Sequence, residues 1–295
     1  MPLPFVKAEG TGNDFVVVDL RSGVPATAAE QVQDPAIVRE ICDRHFGVGA
    51  DGVLAILPSS SGDARMRVLN ADGSEAEMCG NGLRCVAKVI YESDPALRRP
   101  TLQIETGAGV LTCLLDVEAG AVRSVAEEMG RPRLTRTEIP LAPGGDTRAL
   151  REPIRAGDRE FRFTAVSMGN PHAVIFVDGD DDLHTLATTY GPGLEVAERF
   201  PRRTNVEFAR VRGKEIDLVV WERGSGLTLA CGTGACATVV AAALEERLAP
   251  GADTPVHLPG GTLVITVAPD YSGVRLCGPA RVAFQGELDL ARFRR

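Results

Sequence analysis

The chain repeats itself, and that repetition limits the folds open to it more than any other feature. The segment N-A-D-G-S-E-A-E-M-C-G-N-G-L-R-C-V-A-K, beginning at Asn70, parallels W-E-R-G-S-G-L-T-L-A-C-G-T-G-A-C-A-T-V-V, beginning at Trp221. In each, a Gly-Ser pair (Gly73-Ser74, Gly224-Ser225) stands a few residues ahead of C-G-x-G, and the two cysteines, Cys79 and Cys231, are 152 positions apart. Upstream, Gly12-Asn13 before the apolar F-V-V-V-D matches Gly169-Asn170 before A-V-I-F-V-D, at an offset of 157. Loop insertions produce such a drift. Several pairs in one order point to a duplicated unit rather than to chance recurrence in a Gly-rich chain.

Local patterning supports two copies of one α/β unit. Apolar or period-2 runs bounded by turns predict strands near Phe15–Leu20, Val53–Leu57, Arg65–Asn70, Leu102–Thr106 and Val110–Leu115, then again near Phe163–Ser167, Ala173–Val177, Val206–Val211, Ile216–Trp221 and Leu263–Val267. After each C-G-x-G the period turns helical, with Leu83, Val86, Val89 and Ile90 in one copy and Ala235, Val239, Ala242 and Ala243 in the other. The helix from Gly234 to Leu244 bears no charge and should be buried all round. Arg84 and Lys88, four apart, turn one side of the first helix toward solvent or a partner. The expected fold is therefore α/β of the α+β type. It has two pseudo-symmetric domains, each a curved, mostly antiparallel or mixed sheet around a central buried helix, with the active site in the cleft between them. The Pro/Gly/Arg-rich stretch 129–158 is expected to hold the junction, giving halves 1–128 and 129–280.

Composition narrows the function. A hydrophobic fraction of 44% and a charged fraction of 24% suit a soluble globular protein, and no apolar run approaches a membrane span. Met1 to Lys7 lacks a signal-peptide pattern, so a cytoplasmic location is expected. A net charge of −8 with scattered arginines argues against nucleic acid and for a small-molecule substrate. Seven cysteines without a secretion signal are expected to be reduced, and the four histidines show no metal-ligand spacing, so neither disulfides nor a metal is expected. Asparagines are few and lie beside glycines or in short polar motifs (Asn13, Asn70, Asn81, Asn170, Asn205), which favours a ligand site over turn chemistry alone.

A cysteine at a helix N-terminus meets unpaired backbone N–H groups and the positive end of the helix dipole, which favour thiolate and should bring its pKa toward neutrality. The following glycines let the backbone approach a carboxylate closely. Two such junctions related by duplication suit the inversion of a tetrahedral carbon, which removes a proton from one face and delivers one to the other. Cys79 and Cys231, one as thiolate and one as thiol, can then serve as base and acid in either direction, with no cofactor. Pyridoxal phosphate would need a suitable lysine, and Lys7, Lys88 and Lys214 are not in such contexts. The C-G-T-G-A-C-A segment also fits a weak dinucleotide fingerprint, an oxidoreductase alternative. Cys42, Cys85, Cys113, Cys236 and Cys277 are assigned to packing, His172 to a turn or an outer role, and Glu222 to the site because it stands opposite Asn70 in the repeat.

G-T-G-N-D-F-V-V-V-D, N-A-D-G-S-E-A-E-M-C-G-N-G-L-R-C, S-M-G-N-P-H, R-T-N-V-E-F and E-R-G-S-G-L-T-L-A-C-G-T-G-A-C-A together resemble the diaminopimelate epimerase family along essentially the whole chain. Singly, the Cys-Gly-x-Gly elements are shared with proline racemases, which leaves a proline or hydroxyproline racemase as the alternative. The resemblance implies interconversion of LL- and meso-diaminopimelate in lysine and cell-wall precursor synthesis, with Cys79 and Cys231 as the acid/base pair. It implies substrate contacts from Asn13, Asn70, Asn170, Asn205, Glu222 and Arg223 and from backbone groups at Gly80-Asn81 and Gly232-Thr233, with His172 and Glu222 adjusting the cysteine pKa values. It also implies a homodimer and a C-terminal segment, 281–295, that returns to the first domain. Some relatives carry glutamine one place after the aspartate of G-x-G-x-D, where this chain has Gly52 after Asp51, so that contact does not transfer.

Overall fold

The computed structural model describes residues 2–293; Met1, Arg294 and Arg295, at the outer limits of the expected first half, lie outside the described residues. The chain divides into two compact units, Met1–Glu127 with Gly278–Arg295, and Glu128–Cys277, so the 129–158 stretch belongs to the second. Strands β1 (Leu3–Gly10), β2 (Asn13–Asp19), β3 (Gly52–Leu57), β4 (Ala64–Asn70), β5 (Glu75–Ala76), β6 (Thr101–Thr106), β7 (Gly109–Glu118) and β8 (Ala121–Glu128) build the first unit, with helices α1 (Ala26–Val32), α2 (Pro35–Cys42) and α3 (Gly80–Ser93). Its ladder runs β1–β2 antiparallel, β2–β3 parallel, β3–β4 antiparallel, β4–β6 parallel, then β6–β7 and β7–β8 antiparallel.

The second unit contains β9 (Glu152–Ala156), β10 (Arg159–Ser167), β11 (Pro171–Phe176), α4 (Leu183–Glu195), β12 (Asn205–Arg212), β13 (Glu215–Glu222), β14 (Gly226–Leu227), α5 (Gly232–Leu244), β15 (Asp253–Leu258), β16 (Gly261–Val267) and β17 (Val274–Pro279). From β10 to β17 the sequence of antiparallel and parallel pairings is that of β1 to β8. An outer strand completes each copy: β9 lies antiparallel to β10, and β18 (Arg281–Leu288) antiparallel to β1. Each unit is thus a mixed, mainly antiparallel sheet holding a helix, and the duplication read from the motifs extends to every principal strand.

Both faces of each sheet are covered along its central strands, which explains the unbroken apolar runs there. Along β2, Phe15 and Val17 pack toward α3 while Val16 and Val18 pack toward α1 and α2; β3 sorts Leu54 and Ile56 from Val53 and Ala55 in the same way. Successive side chains leave opposite faces, so a strand between two helical layers must be apolar at every position. In the second unit Val174 joins the core around α5, and Ala173 and Ile175 join the one beneath α4. Helix α5 is buried continuously from Gly234 to Ala243, as its lack of charge predicts.

The expectation for α3 is overturned. Arg84 and Lys88 do not face solvent: both are buried, Arg84 completely. Arg84 pairs with Glu127 on β8 at 3.3 Å, while Lys88 Nζ donates to Glu92 Oε1 at 2.6 Å and to the Val122 carbonyl at 2.7 Å. The unit therefore encloses fixed charge beside its central helix. Burial pushes the Glu127 carboxyl from 4.5 up to about 7, with Arg84 opposing the rise.

Two outcomes follow from this packing. A β-carbon on Gly52 would lie 2.6 Å from the Leu69 carbonyl oxygen across the β3–β4 ladder. Gly52→Gln should therefore cost about 1–3 kcal/mol through forced backbone shifts; thermal unfolding followed by circular dichroism reads this as a lowered Tm, and an unchanged Tm would contradict it. Between pH 4.5 and about 7 the folded chain holds a proton on Glu127 that the unfolded chain has released. Stability must then fall as pH rises through that window, at up to about 1.4 kcal/mol per pH unit. Urea titrations of the chain and of its Glu127→Gln variant should show this slope in the former and its loss in the latter.

Candidate active site

Each of the two cysteines caps the helix that follows it. Cys79, in extended conformation, is the N-cap of α3, and its Sγ accepts the Gly82 N–H at 3.4 Å; Cys231 caps α5 in the same manner, accepting from Gly234 N–H at 3.4 Å. Sulfur takes the place that a Ser or Asp oxygen usually holds at an N-cap. The N–H groups of the two residues after each cysteine belong to the first helical turn, where no intrahelical acceptor exists. Both residues are thiols, Cys79 half-buried and Cys231 buried.

In the first unit, Cys79 Sγ donates to Asn13 Oδ1 at 3.7 Å, and Asn81 Nδ2 donates to the same oxygen at 3.4 Å. Asn13 in turn gives its amide N–H to Asp51 Oδ2 at 2.7 Å, a carboxylate also held by Arg44. Arg84 anchors the arrangement from below by donating to Asn81 Oδ1 at 2.5 Å and to Thr11 Oγ1 at 3.1 Å. Cys79, Asn13 and Asn81 are thereby joined in one network. Asn70 is not part of it; its Nδ2 donates to Ser74 Oγ at 3.0 Å within its own turn. A β-carbon on Gly80 would stand 2.9 Å from Glu127 Oε1, so any other residue there would have to displace that buried carboxyl.

In the second unit a longer chain of bonds leads away from the sulfur. Cys231 Sγ lies 3.5 Å from Thr233 Oγ1, which accepts from Asn170 Nδ2 at 3.3 Å. Asn170 Oδ1 is 3.0 Å from His172 Nε2, and His172 Nδ1 is 2.6 Å from Glu207 Oε1. With Asn170 presenting oxygen, His172 Nε2 must be the donor, so the one remaining proton lies between Nδ1 and Glu207. Both members of that pair are fully buried, and Glu207 Oε2 has no partner. Asn205 holds the loop ends together by donating to the Pro171 carbonyl and accepting the Arg223 N–H, while Glu222 accepts from Thr228 Oγ1 at 2.6 Å. The Arg223 guanidinium donates to the Arg202 carbonyl.

Burial raises both thiols, against the expectation that the helix N-terminus would bring them toward neutrality. At Cys79 desolvation outweighs the Gly82 N–H and the Arg84 cation, with Glu127 adding to the rise. At Cys231 desolvation acts with the Glu222 and Glu207 carboxylates, and the Thr233 and Gly234 contacts oppose them without prevailing. Removing a sulfur anion from water costs more than one turn of helix dipole returns.

Three residues in these networks escaped the sequence reading. Arg84 was expected outside, and Glu127 and Glu207 drew no notice. Glu207 carried a signal, because it is the lone carboxylate in the apolar run Val206, Phe208, Ala209, on a strand covered on both faces. Among the described residues no cluster of three or more His, Cys, Asp or Glu is placed to hold a metal ion, and no helix is long and apolar enough to cross a membrane.

Comparison with known proteins places this geometry. The family model described as diaminopimelate epimerase matches residues 5–135 and 164–282. A diaminopimelate epimerase of Pelotomaculum thermopropionicum is 49% identical over 287 residues, covering 96% of this chain and 98% of that protein. One of Desulfitobacterium hafniense is 47% identical over 288 residues, covering 97% and 98%. Among solved structures, a probable proline racemase from Agrobacterium radiobacter has a TM-score of 0.67 at 15% identity, covering 99% of this chain and 94% of that one. A hydroxyproline epimerase from Agrobacterium vitis has a TM-score of 0.64 at 16% identity, covering 97% and 91%. These two share the fold, whereas the sequence relatives and the matched model establish that this chain belongs to the diaminopimelate epimerase family.

Proposed function

We propose that the chain interconverts LL- and meso-diaminopimelate by moving the α-proton between Cys79 and Cys231, without a cofactor. The observation that carries this reading is the pair of equivalent sulfur-capped helices, one per unit, each with a glycine-bearing first turn. One thiolate removes the proton from its face of the α-carbon, and the other thiol delivers a proton to the opposite face. The carbanion's charge spreads into the α-carboxylate. The N–H groups of Gly80 and Asn81 and of Gly232 and Thr233 would stabilise that charge more strongly in the transition state than in the ground state. Burial that raises the thiol pKa makes the thiolate scarcer but a stronger base, a useful trade for a weakly acidic C–H.

The substrate's distal end is a zwitterion, which Asn13, Asn70, Asn170, Asn205, Glu222 and the guanidinium of Arg223 can address with donors, acceptors and both signs of charge. His172 is suited to tuning Cys231 through Asn170 and Thr233, and Glu222 by its charge. The working halves are taken as 1–128 with 281–295, and 129–280. A cytoplasmic homodimer without nucleic acid as partner completes the reading, on the basis of family likeness and acidic net charge.

Purified chain incubated with LL-diaminopimelate in D2O should yield meso product carrying deuterium at the α-position, and Cys79→Ala or Cys231→Ala should each lower kcat by at least about a thousandfold. Full activity in either variant would end the two-thiol reading. Turnover of L-proline in place of diaminopimelate would instead favour the racemase alternative.

A further inference from the structure

The ion pair beneath Cys79 takes no part in the proton transfers just described. Arg84 is fully buried and distributes its guanidinium among Thr11 Oγ1, Asn81 Oδ1, the Pro279 carbonyl and Glu127 Oε1. Glu127, 2% exposed, uses one carboxyl oxygen for Arg84, and the other is buried with no partner. Its Oε1 sits against Gly80, the residue after Cys79, closely enough to exclude a β-carbon. The titratable and charged groups that face it are Arg84 and Cys79 at the start of α3 and Cys113, directly across the ladder on β7.

Burial and the facing Glu127 carboxyl hold Cys113 as the neutral thiol, which leaves one permanent cation and two groups, Glu127 and Cys79, to carry negative charge. With both Cys79 and Glu127 ionised, a net negative charge would be left in a poorly solvated site, where neither screening nor hydration offsets the repulsion. With one ionised, Arg84 balances it. We propose that Glu127 and Cys79 share a single negative charge against Arg84, so that Glu127 is a positioning residue whose protonation accompanies the thiolate form of Cys79. The inference rests on the reading of Cys79 as a proton carrier. The two arrangements, thiolate with carboxylic acid and thiol with carboxylate, contain the same protons and the same total charge. Exchange through solvent suffices to interconvert them. The rise of the Glu127 carboxyl to about 7 places its titration near neutrality. In the second unit the buried carboxylate Glu207 is paired with the imidazole of His172 rather than with a guanidinium, so its balance is of a different kind.

The test reads the sulfur rather than turnover. Substrate-free chain is alkylated with iodoacetamide over a pH series, and modification of the Cys79 and Cys231 peptides is quantified by mass spectrometry. Coupling makes the Cys79 profile rise in two steps. In Glu127→Gln the neutral amide leaves Arg84 uncompensated, so Cys79 should titrate in one step with its midpoint lower by about one pH unit, a tenfold gain in reactivity below that midpoint. Glu127→Asp, which keeps a carboxyl, should restore two steps, and the Cys231 profile should not move in either variant. An unshifted Cys79 midpoint in folded Glu127→Gln overturns the proposal. Should that variant fail to fold, a single-step profile in the unaltered chain overturns it equally. Either result in an enzyme that Cys79→Ala inactivates removes only this inference; activity retained by Cys79→Ala removes the proton-carrier reading itself.

Discussion

A sulfur atom closing the first turn of a buried helix is the contact on which the rest is arranged. Being the N-cap ties Cys79 to Gly82 N–H and Cys231 to Gly234 N–H. The extended backbone of each cap turns the chain from strand side to helix, and the glycines that follow let a carboxyl oxygen come almost into van der Waals contact with the helix start. In one copy that oxygen belongs to Glu127 against Gly80, in the other to Glu207 against Gly234, at 2.9 and 3.0 Å from the β-carbon each glycine lacks. The duplicated fold therefore places a carboxyl group under each thiol, although the two carboxyls stand on different strands and have different bases as partners. Equivalent scaffolds have been given unequal electrostatics, as the proposed reaction asks of two thiols that hold different numbers of protons.

Much of this was legible in the chain. The ten strands marked by apolar runs all exist; β2, β3, β11 and β12 lie between two packed layers and are apolar along most of their length, with the paired His172 and Glu207 as the exceptions. What escaped reading had physical disguises. Strand β1 contains the buried Lys7, which pairs with Asp14 and breaks the apolar pattern, and β18 is mostly exposed. Helix α4 was hidden by Gly191, Pro192 and Gly193; yet Gly191 is needed there, since the Trp221 side chain lies 2.6 Å from where its β-carbon would be.

The site was legible in its caps and less so in its supports. Cys79 with Asn13 and Asn81, and Cys231 with Asn170, Thr233 and His172, fall into hydrogen-bonded groups within their own units. Spacing could not show that Arg84 points inward, because a helix buried on every side gives a charged residue no polar face by which to be recognised. Nor could it anticipate the direction of the thiol pKa values. A helix terminus is visible in sequence, whereas the depth at which the sulfur is placed is a property of the folded unit, and here depth prevails.

The outer strand of each sheet has a consequence for the order in which the protein is made. In the second unit that strand, β9, precedes the rest, so the whole unit is contiguous and emerges from the ribosome complete. In the first it is β18, synthesised only after the second unit has passed. The earlier half must therefore wait with the free edge of β1 exposed until its last strand arrives. Moving β18 ahead of β1 would turn the nested arrangement into a plain tandem of two like blocks and end that wait.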